Sequence, residues 1–370
     1  MPGIRAFTKS DAVVVADLIS KVLHDRRGPT PASLPAHLDE LFLQNPWVEP
    51  DIPSYVYEDS QNKLVGFFGI LPRRMTLLGK KVRLAFGSNF VVDPESRSSM
   101  AAIQLIRAFM KGAQDISITD SANESSRQML RSLGFKISPI YSLVWARPLQ
   151  PLKYGLNGVA RLNKRSSLAT LASVASPFAA ILDSVATKMA ASPFHHAALT
   201  TVEEQATPEA IVQALTTIPG KNWLLPEYDT QSLDWIFTFI QKRGAYGPLV
   251  KKIIRNQEGK LIGWYIYGKG AGKVGEVLQI GAEPASAKAV VTHLFKDAWK
   301  EGLFGLHGRM EPQFMDEMSR SASFFLRQGS WTLMNSKTPE FAEPFLTGNA
   351  FFSRLEGEGV MRFGEFSTQS

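Results

Sequence analysis

Phe90-Val-Val-Asp-Pro-Glu-Ser-Arg-Ser-Ser-Met-Ala-Ala-Ile-Gln-Leu-Ile106 passes from a strand, through an Asp-Pro turn, into a serine-rich helix start. Phe-Val-Val favours a pleated strand, and Pro94 has no N–H with which to continue a ladder. Ser96 to Ser99 supply capping hydroxyls for a helix over 98–112, whose apolar stripe includes Met100, Ile103, Ile106, Ala108 and Phe109. Further on, Asn123-Glu-Ser-Ser-Arg-Gln-Met-Leu-Arg-Ser-Leu-Gly-Phe135 reads as a second helix, over 124–133, ending at the C-cap glycine Gly134.

Together the two stretches resemble the acyl-CoA N-acyltransferase (GNAT) superfamily. In that family a strand ending in Val-Asp-Pro-Glu leads into Arg-x-x-Gly-x-Gly/Ala, whose backbone N–H groups cradle the cofactor pyrophosphate at a helix start. Arg97, Met100 and Ala102 stand at the matching positions, and Asn123, Gly134 and Phe135 match the second family pattern. The resemblance implies that Arg97, Ser98, Ser99, Met100, Ala101 and Ala102 hold the phosphates of acetyl-CoA or another acyl-CoA. It implies also that the backbone at Phe90, Val91 and Val92 binds the pantetheine arm and that Asn123 lies near the thioester. Two positions depart from the pattern. Met100 replaces a loop glycine and should narrow the backbone's approach to the anion. Leu130 stands where the family's tyrosine protonates the departing thiolate, which removes a proton donor. No side chain announces itself as general base. Asp120, at a strand end, is the first choice for a catalytic carboxylate beside Asn123, against a plain turn-capping role. Ser88 and Asn89 offer a proton route through water, and Asp93 beside Pro94 reads as a turn former.

Composition sets outer bounds. The chain has 370 residues, 44% hydrophobic and 20% charged. A chain of that length exceeds the usual reach of a single core, so two domains are expected. There is no cysteine, which excludes disulfides, thiolate catalysis and cysteine-ligated zinc. The adjacent His195 and His196 face opposite ways in extended structure, and no metal centre is expected. The first residues lack the apolar core of a secretory signal, so a cytoplasmic location is expected. A net charge of +7 favours anionic partners. The pairs Arg73-Arg74, Lys80-Lys81, Lys164-Arg165 and Lys251-Lys252 are separate, not a stripe interleaved with aromatics, which argues against nucleic acid. Most of them read as solvated surface or strand edge.

The chain also repeats itself. Lys63-Leu-Val-Gly-Phe-Phe68 is echoed by Lys260-Leu-Ile-Gly-Trp-Tyr265, and Leu130-Arg-Ser-Leu-Gly-Phe135 more weakly by Phe325-Leu-Arg-Gln-Gly-Ser330. Gly66 to Gly134 spans 134 − 66 = 68 positions and Gly263 to Gly329 spans 329 − 263 = 66, a separation that argues for duplication over generic hairpin grammar. The expected fold is α/β (α+β), with two tandem GNAT-like domains, each a mixed, mostly antiparallel sheet flanked by helices. Residues 1–150 form the acyl-CoA-binding domain, 151–200 an Ala/Ser-rich helical linker and 201–370 a degenerate second copy. In the first copy, strands are expected at 4–7, 55–58, 64–72, 74–86, 87–92 and 116–119, with a closing strand at 140–147, and helices at 12–23 and 36–44. In the second copy 274–280 and 282–290 replace the cofactor strand and loop. Glu283 there presents the wrong charge to a phosphate. Trp235, Phe237, Phe239, Trp264, Tyr265 and Tyr267 read as core, with a glycan-stacking platform as the alternative. The basic, Ala-rich stretch 152–198 reads as helices packing between domains, in preference to lying on an anionic membrane surface.

The expected activity is transfer of an acetyl or other acyl group from acyl-CoA to an amine acceptor, a small molecule or glycan such as a sugar nucleotide or polysaccharide precursor. Two alternatives stay open: a Fem-type aminoacyltransferase, against which the CoA-like loop argues, and a non-catalytic GNAT-fold ligand-binding protein, for which Met100 and Leu130 argue.

Overall fold

Strand β1 (Gly3–Ala6) hands over to helix α1 (Ala12–Leu23) at Thr8, whose backbone N–H and hydroxyl both donate to the Asp11 carboxylate, at 2.8 and 2.7 Å. This reciprocal cap fixes the chain's entry into the helix. Arg5 braces the same carboxylate at 2.7 and 2.8 Å. The computed structural model describes residues 3–23, 29–96, 99–162, 199–217, 223–270, 273–327 and 330–364. After α1 come α2 (Leu34–Leu43), β2 (Tyr55–Glu58), β3 (Leu64–Leu77), β4 (Lys80–Val92), α3 (Ser99–Lys111), β5 (Ile116–Ala122), α4 (Glu124–Ser132) and β6 (Lys136–Ser138). The elements β1, α1, α2, β2, α3, β5 and α4 follow in the predicted order, whereas β3 and β4 stand where three strands are expected and β6 is an addition.

Two compact units form. The first comprises residues 1–142, 220–243 and 329–370, the second 143–219 and 244–328. The sheet of the first runs β1-β2-β3-β4-β5-β15-β6, with β9 (Leu224–Pro226) on β3 and β15 (Trp331–Ser336) between β5 and β6. The sheet of the second runs β14 (Phe324–Leu326), β7 (Val144–Pro148), β13 (Gly305–Arg309), β12 (Val274–Ala282), β11 (Leu261–Gly268), β10 (Leu249–Arg255), β8 (Val202–Gln205). In each sheet one pair is parallel, β4 with β5 and β12 with β13, and the other pairs are antiparallel. The echoed hexapeptides open β3 and β11, the second strand of a hairpin in either sheet. Their glycines answer one packing need. A Cβ at Gly66 would meet Leu105 Cδ1 at 3.0 Å, and one at Gly263 would meet Val290 Cγ2 at 2.4 Å. Each glycine lets the following long helix, α3 or the helix Ala287–Lys300, lie close on its strand.

Three expectations need correction. The hairpin break expected at Pro72-Arg73 does not occur, because Pro72 pairs with Ala85 inside β3 and the turn falls at Leu78-Gly79, with φ of 52° and 76°. Pro72 is tolerated because β2 pairs with β3 only up to Phe68 and β9 only from Met75, so its missing N–H falls between them. The strand expected over 140–147 to close the first sheet is instead a 3-10 turn (Ile140–Ser142) followed by β7, which pairs with β13 and β14 in the second sheet. β15 takes the closing place, pairing Leu333 with Thr119 and Met334 with Ile118. Finally, the buried stripe of α3 is Ala101, Leu105, Ile106 and Phe109, while Met100 is 54% exposed. The helix is apolar around most of its girth, so periodicity left its rotation open.

Phe237, Phe239, Trp264, Tyr265 and Tyr267 are buried, as core residues are. The phenols of Tyr265 and Tyr267 donate to Glu203 and Asp297, each at 2.7 Å. Trp235 stacks on Phe239 with centroids 4.8 Å apart. Of the expected linker, α5 (Pro151–Leu162) is described, whereas Lys164-Arg165, His195-His196 and the rest of 163–198 lie outside the described residues. No helix among the described residues is long and apolar enough to cross a membrane, and no cluster of metal-ligating side chains occurs among them.

Candidate active site

β4 and β5 run parallel and in register only where Leu84 to Phe86 meet Ile116 to Ile118. Beyond Phe86 they part, β4 continuing to Val92 and β5 to Ala122, which opens the β5-facing edge of β4. A bulge accompanies the parting. On β3, Phe67 pairs with Val91 and Gly69 with Ser88, so Asn89 and Phe90 stand opposite Phe68 alone, and Asn89 takes φ of 47°. Asn accepts that left-handed conformation at little cost, and the bulge turns β4 away from its neighbour. Gly87 belongs to the same arrangement, since a Cβ there would strike the rings of Phe68 and Phe109 at 2.8 and 2.9 Å.

The opening is a cavity of about 120 Å³ lined by residues of the first unit. Gly87 to Phe90 form one wall, Thr119 and Ser121 to Asn123 another, and Leu23, Phe68, Ile106, Ser126, Leu130 and Glu358 complete it. Ser88 is buried and its hydroxyl has no hydrogen-bond partner among the described residues. A buried hydroxyl in that state carries an unmet desolvation cost that a ligand could offset. Asn123 caps α4, its Oδ1 accepting from the Ser126 N–H at 2.9 Å.

The residues singled out from sequence fall in several places. Phe90 and Asn123 line the cavity. Val91 is buried and pairs with Phe67, and Val92 pairs with Gly66. Asp120 is buried but is not a lining residue; its Oδ2 accepts from the Glu358 N–H at 3.3 Å. Ser99 opens α3, Met100 is exposed and Ala101 buried, with Ala102 half-buried, while Arg97 and Ser98 lie outside the described residues. Asp93 does shape the turn before them. Burial pushes its carboxyl up, but the Glu95 N–H and Lys21, each at 3.1 Å, outweigh that and hold it below the ordinary aspartate range.

Two features escaped sequence reasoning. Glu358 reaches the cavity on a 3-10 turn (Glu358–Met361) more than 200 positions after Asn123, a contact that no local pattern announces. Arg73, expected at the surface, is buried with its guanidinium 4.3 Å from the Trp47 ring centroid. Tyr228 and Glu356 lie in its electrostatic reach, and the Tyr228 phenol donates to Glu356 at 2.6 Å. Burial lowers the Arg73 pKa and raises that of Tyr228.

Residues 3–138 match the family model of an acetyltransferase (GNAT) domain. The chain carries a GNAT domain. Its fold extends that likeness over most of the chain: a probable N-acyltransferase from Enterococcus faecalis V583 superposes with a TM-score of 0.59 at 12% identity, over 91% of this chain and 73% of that one. A GCN5-related N-acetyltransferase from Anabaena variabilis ATCC 29413 gives 0.56 at 12% identity over 92% and 74%. Eis1 from Mycobacterium abscessus gives 0.51 at 13% over 90% and 73%. The comparison with curated proteins gives no match. At these identities the structures establish the fold alone.

Two substitutions probe the GNAT features directly. Met100→Gly is expected to tighten acetyl-CoA binding in calorimetry while costing about 1 kcal/mol or less of stability, because the exposed side chain leaves the first turn of α3 without any core contact being lost. Weaker binding by the variant would remove Met100 from the anion's path. Leu130 is 4% exposed, lies in the same core cluster as Leu105 and Phe109, and also lines the cavity. Leu130→Tyr is therefore expected to cost about 1–3 kcal/mol by overpacking, read as a lower melting temperature. An unchanged melting temperature would show that the cavity takes up the ring.

Proposed function

We propose that the first unit transfers an acyl group from acyl-CoA to the amine of a small-molecule or glycan acceptor. The observation that carries this reading is the opened edge of β4 with the unmatched Ser88 hydroxyl beside the cavity. An acyl-pantetheine arm carries amide groups between short hydrocarbon stretches, and an open strand edge offers donors and acceptors to such amides. The thioester then enters the cavity, where Asn123 and the Ser88 hydroxyl face it, and the α3 start, from Arg97 to Ala102, receives the pyrophosphate. Acyl transfer in such a site draws chiefly on positioning and on backbone N–H groups aimed at the tetrahedral oxyanion. Asp120 acts on this site through the turn it holds. The second unit serves as scaffold, with Glu283, ion-paired to Lys260 at 2.6 Å, at the position of the phosphate loop. We take 1–150 and 201–370 as descendants of one duplicated domain. Leu130 in the place of a proton donor favours the rival reading, a ligand-binding protein without turnover. Calorimetry with acetyl-CoA on the full chain, followed by a free-thiol assay with primary amines, separates the readings. Failure to bind acetyl-CoA sinks the proposal, and binding with no thiol release supports the rival.

A further inference from the structure

We propose that the Glu358 carboxylate takes the proton from the acceptor amine; this rests on the cavity being the thioester site. Among the described residues that line the cavity, Glu358 is the one ionisable side chain. The others offer hydroxyls, amides and hydrocarbon, none of which exchanges a proton readily near neutral pH. A primary amine arrives as ammonium and must lose a proton before its lone pair can attack. The Glu358 carboxylate attracts that cation and then accepts its proton. Glu358 is half-buried, so it can pass the proton on to solvent.

The protons balance. The ammonium gives one proton to Glu358, and the free amine forms the N–C bond at the thioester carbon. The C–S bond breaks as the tetrahedral intermediate collapses. The second amine proton leaves with the thiolate, yielding the amide and CoA thiol, while Glu358 releases the first proton to water. No oxidant, metal or further reactant enters.

The turn that presents Glu358 is held from several sides. Upstream, the buried Glu356 accepts from the Ser353 N–H at 2.6 Å, the Ser353 hydroxyl at 2.5 Å and the Tyr228 phenol at 2.6 Å. Asp120 accepts from the Glu358 N–H. Downstream, the His37 ring donates from Nε2 to the Met361 carbonyl at 3.2 Å. A carboxylate on a loop pinned this firmly is suited to repeated proton transfer. Asp120 thereby becomes a positioning residue.

The test uses the full chain with acetyl-CoA, water or an added n-alkylamine as acceptor, and follows thiol release across pH. Glu358→Gln is expected to bind acetyl-CoA as the wild type does, to lower kcat about 10²-fold or more, and to lose the acidic limb of the pH–rate profile. Glu358→Asp, which keeps the carboxylate, is expected to restore that limb and part of the rate. A Gln variant within threefold of wild type, with an unchanged profile, overturns the proposal. So does wild-type protein that binds acetyl-CoA and releases no thiol. If Glu358→Gln does not fold, the Asp variant decides: loss of the acidic limb there also overturns it. Absence of acetyl-CoA binding by the wild type overturns the donor-site reading itself, a separate result.

Discussion

Glu356→Ala is expected to lose about 3–5 kcal/mol of stability, the range seen when one partner of a buried charged group is removed. Three hydrogen bonds disappear with the carboxylate, from the Ser353 N–H, the Ser353 hydroxyl and the Tyr228 phenol. The larger loss falls on Arg73. Its guanidinium is buried, has no hydrogen-bond partner among the described residues and rests on the Trp47 ring. Glu356 is the carboxylate in its electrostatic reach. Without it a full positive charge is left in an apolar setting, which is the costly state. Urea denaturation of Glu356→Ala, Arg73→Met and the double variant measures the coupling. The double variant is expected to be more stable than Glu356→Ala alone, since the stranded charge is gone. Additive losses would show that the two charges do not support one another.

Acid is expected to unfold the protein through His37. Burial holds its imidazole at about 3, far below the ordinary value of 6.5, with the nearby Arg243 charge lowering it further and the Met361 carbonyl opposing. The unfolded chain protonates this histidine near pH 6.5. From there down to about pH 3 the unfolded state holds a proton that the native state lacks, so stability falls as pH falls, by about 1.4 kcal/mol per unit. Above pH 6.5 the contribution is complete and flat. His37 packs against Phe239 and Phe363 with ring centroids 5.2 and 5.0 Å away, so His37→Phe keeps an aromatic seat and removes the proton. Melting temperatures of both proteins between about pH 4.5 and 7 check this. The variant is expected to hold its stability better over the acidic half. Parallel curves would show that His37 is solvated.

What was legible in the sequence was local. The strand-to-helix passage after Val92 and the left-handed Gly134 that ends α4 each depend on neighbours within a few positions, and each forms. The hexapeptide echo was readable because Gly66 and Gly263 meet the same demand for close helix packing. What was not legible is set by distant parts of the chain. Pro72 sits in mid-strand because of where β2 and β9 happen to stop. Arg73 is buried by Trp47 and by a carboxylate from near the other end of the chain. Glu358 reaches the cavity by the same long return, and nothing in Glu356-Gly-Glu358 announces it.

The exchange of closing strands carries a consequence for synthesis. Residues up to Ser142 leave the ribosome early and carry every lining residue of the cavity except Glu358, yet β5 then has β4 along only three of its residues. The strand that covers its other edge begins at Trp331. For some two hundred residues of elongation, lasting tens of seconds at ordinary translation rates of ~5–20 residues per second, β5 is a bare edge open to pairing with any other chain. Closing it joins positions 209 apart, Ala122 and Trp331, which is among the slowest kinds of contact a chain makes. The nascent protein therefore depends on whatever shields that edge until β15 is made, and a chain that stops short of β15 is left with most of the cavity's lining and no closed sheet to hold it.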